Sequence, residues 1–158
     1  MTGLVTGVWR LLSGRVRWWV LWAAHAKYVI GVTGVVRDQH GRVLLLRHRM
    51  WTPRRPWGLP TGFAASGEEF PHTVVREVKE ETGLDVAPGR LVRVVSGFRL
   101  RAEVAYEAEF LGGTLQLDPM EILEAGWLSP EELPEGLQES HRALIQGERR
   151  ASLDPPAA

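Results

Sequence analysis

The stretch FPHTVVREVKEETGL, residues 70–84, constrains the fold most, because both ends of a helix are written into it. Val74, Val75 and Val78 make one apolar stripe, Pro71 stands where a first helical turn tolerates proline, and Gly83 follows where a left-handed C-cap belongs. The spacing therefore predicts a helix over about Phe70 to Thr82 that buries its valines. Glu77, Glu80 and Glu81 project from the other side at i,i+3 and i,i+4. Like charges so placed cost roughly 0.2–0.5 kcal/mol each on an exposed helix. A divalent cation would reverse the sign of that cost. Oxygen-only ligands, with no cysteine and no paired histidine, point to a hard ion, Mg²⁺ or Mn²⁺, and so to phosphate chemistry. An isolated EVKEE is more often only a solvated face, so the surroundings decide.

The chain of 158 residues fits one domain able to bury a core without staples. Lys plus Arg and Asp plus Glu each total 19, so no global field draws it to nucleic acid. The absence of cysteine removes thiol nucleophiles and thiolate metal sites, and fits a reducing cytoplasm. Charge is nonetheless uneven. No acid precedes Asp38, whereas Arg10, Arg15, Arg17, Lys27 and Arg37 do, and Trp9, Trp18, Trp19 and Trp22 share that region. Its apolar run WWVLWAA is too short to span a bilayer, and no secretory cleavage site follows it.

Residues 4–26 carry Trp9, Leu12, Val16, Trp19, Val20 and Ala23 at helical spacing, which predicts an amphipathic helix weakened at Ser13-Gly14. YVIGVTGVVRDQHGRVLLLRHR reads as a hairpin turning at DQHG. MWTPRRPWGLPTG, with three prolines, reads as a loop. RLVRVVSGFRL, AEVAYEAEFLGG and EILEAGWL read as strands; SPEEL opens with a capping box, Ser129 to Glu132, and a last helix is expected from about Gly136 to Ile145. The organisation expected is a Trp-rich basic arm over residues 1–27, one domain over 28–148 and a frayed tail over 149–158.

The stretch from residue 62 to 84 resembles the signature of the Nudix hydrolases: Gly62, Glu68, Arg76, Glu77, Val78, Glu80, Glu81, Gly83 and Leu84 stand at its specified positions. The resemblance implies an α/β fold, an α/β/α sandwich around a mixed sheet, with this box folded as loop, helix, loop. It implies metal-dependent hydrolysis of a diphosphate linked to another moiety. Carried over residue by residue, Glu77, Glu80 and Glu81 would bind metal with help from the Gly62 carbonyl, and Glu68 with Arg76 would hold the loop against the helix. Glu77 and Glu80 would also act in catalysis. A general base is expected from a loop acid before a late strand; Glu121 and Glu124 stand there, and Glu121 is favoured. The sequence departs from the family's usual lead-in at Thr61, where glycine is customary, and at Ala65, where many members carry glutamate.

Arg54 and Arg55 would clamp phosphates, and Trp57 would stack a base, unless Trp57 is core and the arginines only solvate the loop. Arg99 is a further candidate for substrate contact. The five histidines show no metal-ligand spacing and read as solvated or capping residues. Neither a phosphate-binding G-x-x-x-x-G-K-[ST] loop nor a G-x-S-x-G elbow is present. The expected activity is Mg²⁺-dependent pyrophosphohydrolysis of a nucleoside diphosphate derivative or a nucleoside triphosphate. Two alternatives stand beside it: a non-catalytic binding module, and hydrolysis of a lipid-linked diphosphate at a membrane surface. For the arm, packing on the sandwich or in a homodimer comes first, then peripheral contact with an anionic membrane, then lining a pocket for an apolar group.

Overall fold

The computed structural model describes residues 13–25, 27–98 and 100–147. Its elements run α1 (Gly14–Ala24), β1 (Val29–Arg37), β2 (Val43–His48), β3 (Trp57–Gly58), β4 (Thr61–Phe63), α2 (Phe70–Thr82), β5 (Leu84–Phe98), β6 (Arg101–Gly113), β7 (Ile122–Leu128) and α3 (Glu139–Ile145). The seven strands form one mixed sheet in the order β3-β2-β1-β6-β5, with β4 added on β1 and β7 on β2. Only β1 and β6 pair in parallel, from Val29 opposite Arg101 to Arg37 opposite Glu109.

Side chains alternate across a strand, so β1 and β2 feed two cores. Val32, Val36, Leu44 and Leu46 meet Val74 and Val78 of α2 on one face. Val35, Val43 and Leu45 meet Leu59, Leu137 and Ile145 on the other, under α3. Buried on both faces, β1 reads GVTGVV without the polar alternation of a half-exposed strand. The result is the sandwich expected, one helix on each side of a mixed sheet. α2 lies so close to β1 that a Cβ at Gly34 would stand 2.6 Å from Val74 Cγ1. No larger residue fits there without pushing the helix away.

α2 begins and ends as its sequence predicts, with Pro71 in the first turn and Gly83 at φ 73°. Five other expectations need correction. The hairpin at DQHG exists, with Gly41 at φ 76°, but β1 and β2 pair only at its mouth, Arg37 opposite Val43. Beyond it, β4 takes the place beside β1 through Gly31 opposite Phe63, and β2 turns to β3 and β7. Residues 50–62 are thus not all loop: the chain makes two short strands, one on each side of Pro60. The strand expected from Arg90 starts at Leu84, and register shifts around Pro88 and Leu91 carry it past the proline. Ser129 caps no helix; its hydroxyl bonds the Glu131 carboxylate in a turn, and Pro134 blocks helical continuation. The last helix starts at Glu139 because residues 136–138 are extended against β3, with Trp57 N–H donating to Gly136 O (3.1 Å) and Gln138 N–H to Trp57 O (3.0 Å).

The arm also differs from its expectation. α1 buries no residue, and its apolar side chains lie all round the helix rather than in one stripe. Residues 4–12 of that predicted helix, the tail over 149–158 and Arg99 lie outside the described residues.

Val78 is fully buried where α2 meets the sheet. Val78→Ala removes two methyl groups from that seam and is expected to cost about 2 kcal/mol, lowering Tm by about 4–8 °C. An unchanged Tm in a thermal melt would contradict the central place given to this contact.

Candidate active site

The acidic side of α2 faces β4 and the loop between them. A Cβ at residue 62 would overlap the Glu77 carboxylate, so only glycine lets β4 and this glutamate come together. β4 is itself fixed to β1, with Gly34 N–H donating to Pro60 O and Ala64 N–H to Ile30 O, both at 3.0 Å. Glycines at 34 and 62 therefore set the two distances that position the helix.

Arg76 distributes its guanidinium over everything around it. Its Nε donates to Glu68 Oε1 (2.8 Å), and its Nη2 to Glu68 Oε2 (3.1 Å) and to the Phe63 carbonyl (3.0 Å). Its Nη1 reaches Glu77 Oε1 (2.8 Å) and Glu80 Oε2 (3.0 Å). Glu68 Oε2 also accepts from the Ala65 N–H and the Thr73 hydroxyl, each at 2.9 Å. Arg76 first, and then the Ala65 amide, hold the Glu68 carboxyl down to about 2. This network closes the loop of residues 63–69 onto the helix.

Glu81 is the unusual member. It is 2% exposed, and its Oε2 has no hydrogen-bond partner. Burial first, then the charges of Glu77 and Glu121, push its carboxyl up to about 9, against the pull of the Thr61 amide. Glu77 is raised as well, by burial first, with Glu80 and Glu121 adding to it and Arg76 opposing. Glu80 and Glu121 both raise each of these helix carboxyls, and Glu121 is the one that comes from outside the helix. It is carried there by residues 114–121, which follow the end of α2: Gln116 N–H donates to Thr82 O (2.8 Å), Asp118 N–H to Glu81 O (3.1 Å), and Arg49 N–H to Glu121 O (2.7 Å).

Among the described residues, no three His, Cys, Asp or Glu side chains stand ready-made as a metal cage. The reason is visible in the distances, since Arg76 occupies oxygens of both Glu77 and Glu80. The donors nonetheless suit a hard divalent cation: all are oxygens, one is buried and unpartnered, and two carboxyls are held above their ordinary range by burial first and then by neighbouring glutamates. Thr61 does not fill the space. Its hydroxyl donates to Val32 O (3.1 Å) and shares a hydrogen bond with Thr33 Oγ1 (3.0 Å), so the side chain belongs to β1 while the amide serves Glu81. Ala65 contributes its N–H to Glu68.

The structure brings together Glu77, Glu80, Glu81, Gly62 and Glu121, with Glu68 and Arg76 beside them. It takes Glu124 elsewhere, to Arg47 across the β2–β7 pair (3.4 Å). Trp57 packs half-buried on the second core, and Arg55 lies 3.7 Å from Glu139 at the start of α3; Arg54 is exposed in the same loop. Two histidines expected to be solvated are buried instead. His48 stacks on Trp51 with centroids 3.8 Å apart, and its Nδ1 lies 3.9 Å from Glu81 Oε1. His141 Nδ1 accepts the Leu59 N–H at 3.0 Å, and burial lowers both rings to about 4. The sequence signal for His48 was its place two residues after Leu46 and four after Leu44, on the same face of the strand.

Residues 27–147 match the family model of the NUDIX domain. Nudix hydrolase 8 of Arabidopsis thaliana is 34% identical over 137 residues, which are 80% of this chain and 34% of that protein. The NAD-capped RNA hydrolase NudC of Vibrio atlanticus (strain LGP32) is 37% identical over 98 residues, 60% of this chain and 35% of that one. The chain thus spans about a third of the length of these curated relatives. The crystal structure of the MutT protein from Methanosarcina mazei Go1 is similar at TM-score 0.61 and 27% identity, covering 77% of this chain and 93% of that one.

With its carboxyl raised to about 9 when folded, Glu81 stabilises the metal-free protein below the ordinary glutamate range, and that contribution is lost as pH climbs toward 9. Metal-free wild type is therefore expected to lose stability relative to Glu81→Gln between pH 6 and pH 9, by up to about 1.4 kcal/mol per pH unit. Urea unfolding of both proteins across that range measures it. Parallel profiles would contradict the burial of a strained carboxyl here.

Proposed function

The chain belongs to the Nudix domain family, and from that premise we propose that it is a divalent-metal-dependent pyrophosphohydrolase. The observation that carries this reading is Glu81: a buried carboxyl with an unpartnered oxygen, crowded by Glu77 and Glu121, on a helix whose Glu77 and Glu80 share the Arg76 guanidinium. Folding alone gives no reason to keep such a cluster, and a cation gives one. Glu77, Glu80 and Glu81 would hold it, with the Gly62 carbonyl beside them. When bound, Mg²⁺ or Mn²⁺ would supply neutralisation of phosphate charge and a lowered pKa for an attacking water.

The chain's own residues have distinct tasks in this account. Arg76 and Glu68 keep the loop closed on the helix, so that Gly62 stays against Glu77. Glu121, exposed on a loop and electrostatically joined to the helix carboxylates, is the general base that accepts the proton of the attacking water. Glu124 is already engaged by Arg47 and is a poorer choice. The substrate class proposed is a nucleoside diphosphate derivative, or a nucleoside triphosphate. The relative named for NAD-capped RNA supports the first, since NAD joins a nucleoside diphosphate to a second moiety. A binding module without catalysis draws its support from Thr61 and Ala65, but the Thr61 hydroxyl turns to Val32 O and Ala65 gives its N–H to Glu68. The absence of cysteine fits a reducing compartment, and we place the protein in the cytoplasm; no helix among the described residues is long and apolar enough to cross a membrane.

Phosphate release, with and without pyrophosphatase or phosphatase as coupling enzyme, from a panel of nucleoside triphosphates, nucleotide sugars, dinucleoside polyphosphates and prenyl diphosphates tests this directly. One class is expected to turn over in Mg²⁺ or Mn²⁺, with chelation abolishing it. Glu80→Gln should lower kcat by about 10² or more. Glu121→Gln is expected to fall by about 10²–10⁴, and Glu124→Gln to stay near wild type. Folded protein with no turnover in either metal would move the assignment to a binding module.

A further inference from the structure

We propose that α1 docks this protein on the surface of an anionic lipid bilayer, lying in the interface without crossing it. Nothing in this rests on the hydrolase reading. α1 buries no residue among those described, and Trp18 and Trp19 are 60% exposed and Trp22 46%. The three rings form one cluster: Trp18 stacks on Trp22 at 6.4 Å, and Trp19 meets Trp22 edge-on at 5.2 Å. So large an aromatic surface left in water requires a partner.

The pattern around the helix says which partner. Val16, Val20 and Ala23 occupy one side, and Trp18, Leu21 and Trp22 the opposite side, with Trp19 between. A second copy of this chain would bring two basic arms together with no acid before Asp38 to offset their cations. Indole rings prefer the lipid interface, where one part is apolar and the N–H stays hydrated, and the side carrying Trp18, Leu21 and Trp22 can lie in it. Charge selects the lipid. Arg15, Arg17 and Lys27 accompany the rings, no acid occurs before Asp38, and Lys27 Nζ lies 4.1 Å from the Trp22 ring. These cations complement anionic headgroups. At about 1.5 Å per residue, the 11 residues of α1 reach only about half of a hydrocarbon core of about 30 Å. The helix therefore lies on the bilayer.

The test uses the full chain with vesicles of phosphatidylglycerol and phosphatidylcholine, against vesicles of phosphatidylcholine alone. Co-sedimentation with the anionic vesicles is expected, with a blue shift of tryptophan emission. Binding should weaken as salt rises from about 0.1 M to about 1 M, where the Debye length shrinks from about 10 Å to about 3 Å. The variant Trp18→Ala/Trp19→Ala/Trp22→Ala should lose vesicle binding by about tenfold or more while keeping the wild-type Tm, since none of the three is buried. Equal binding to neutral vesicles, undiminished binding by the variant, or no vesicle binding at all would each overturn the proposal. Loss of a solution dimer in the variant without vesicle binding would assign the helix to a second copy instead.

Discussion

Everything around the acidic face of α2 depends on how one guanidinium is shared. Arg76 bonds Glu68, the Phe63 carbonyl, Glu77 and Glu80, so a single side chain closes the loop, holds β4 and restrains two of the repelling carboxylates. Its planar fork makes this possible; a lysine in its place would offer one point charge to partners on several sides. Glu81, buried beneath and out of its reach, has no such neutralisation. The structure thus divides four acids of this region into three served by Arg76 and one, Glu81, that is not.

That division links packing to chemistry. α2 can bring Glu77 and Glu81 against β4 only because Gly34 admits Val74 and Gly62 admits Glu77. The valine stripe fixes the rotation of the helix, and its rotation aims the carboxylates at the loop carrying Glu121. Phosphate hydrolysis needs preplaced positive charge and a base poised near water. The same geometry that makes the metal-free site electrostatically unfavourable is what would make an ion bind there.

Much of this was legible in the sequence because α2 carries its own boundaries and its acids stand at fixed helical offsets. Gly83, Pro71 and the valines are local signals, and local signals survive folding. Other features depended on distant partners. β1 and β2 each read as strands, but that β1 leaves its hairpin partner for β4 and β6 follows from pairing with residues some 30 and 70 positions away. The strands inside the proline-rich segment exist because β1 and β2 offer them edges, which no local propensity announces. Ser129 has the right neighbours for a cap, yet Pro134 and the pairing of Trp57 with residues 136–138 leave no room for the helix. His48 and His141 belong to the interior through Trp51, another long-range meeting. The arm failed in the opposite sense: its apolar spacing suggested one buried face, and the described helix has none.

If the carboxylates of α2 form a divalent-cation site, the metal-binding isotherm must show it. Mn²⁺ titrated into the full-length protein and followed by electron paramagnetic resonance reports bound against free ion without requiring any substrate. The account predicts saturable binding to wild type that is lost in Glu77→Gln/Glu81→Gln while circular dichroism and Tm confirm a folded protein. Binding as tight in that variant as in wild type, or no binding to wild type at all, would contradict it.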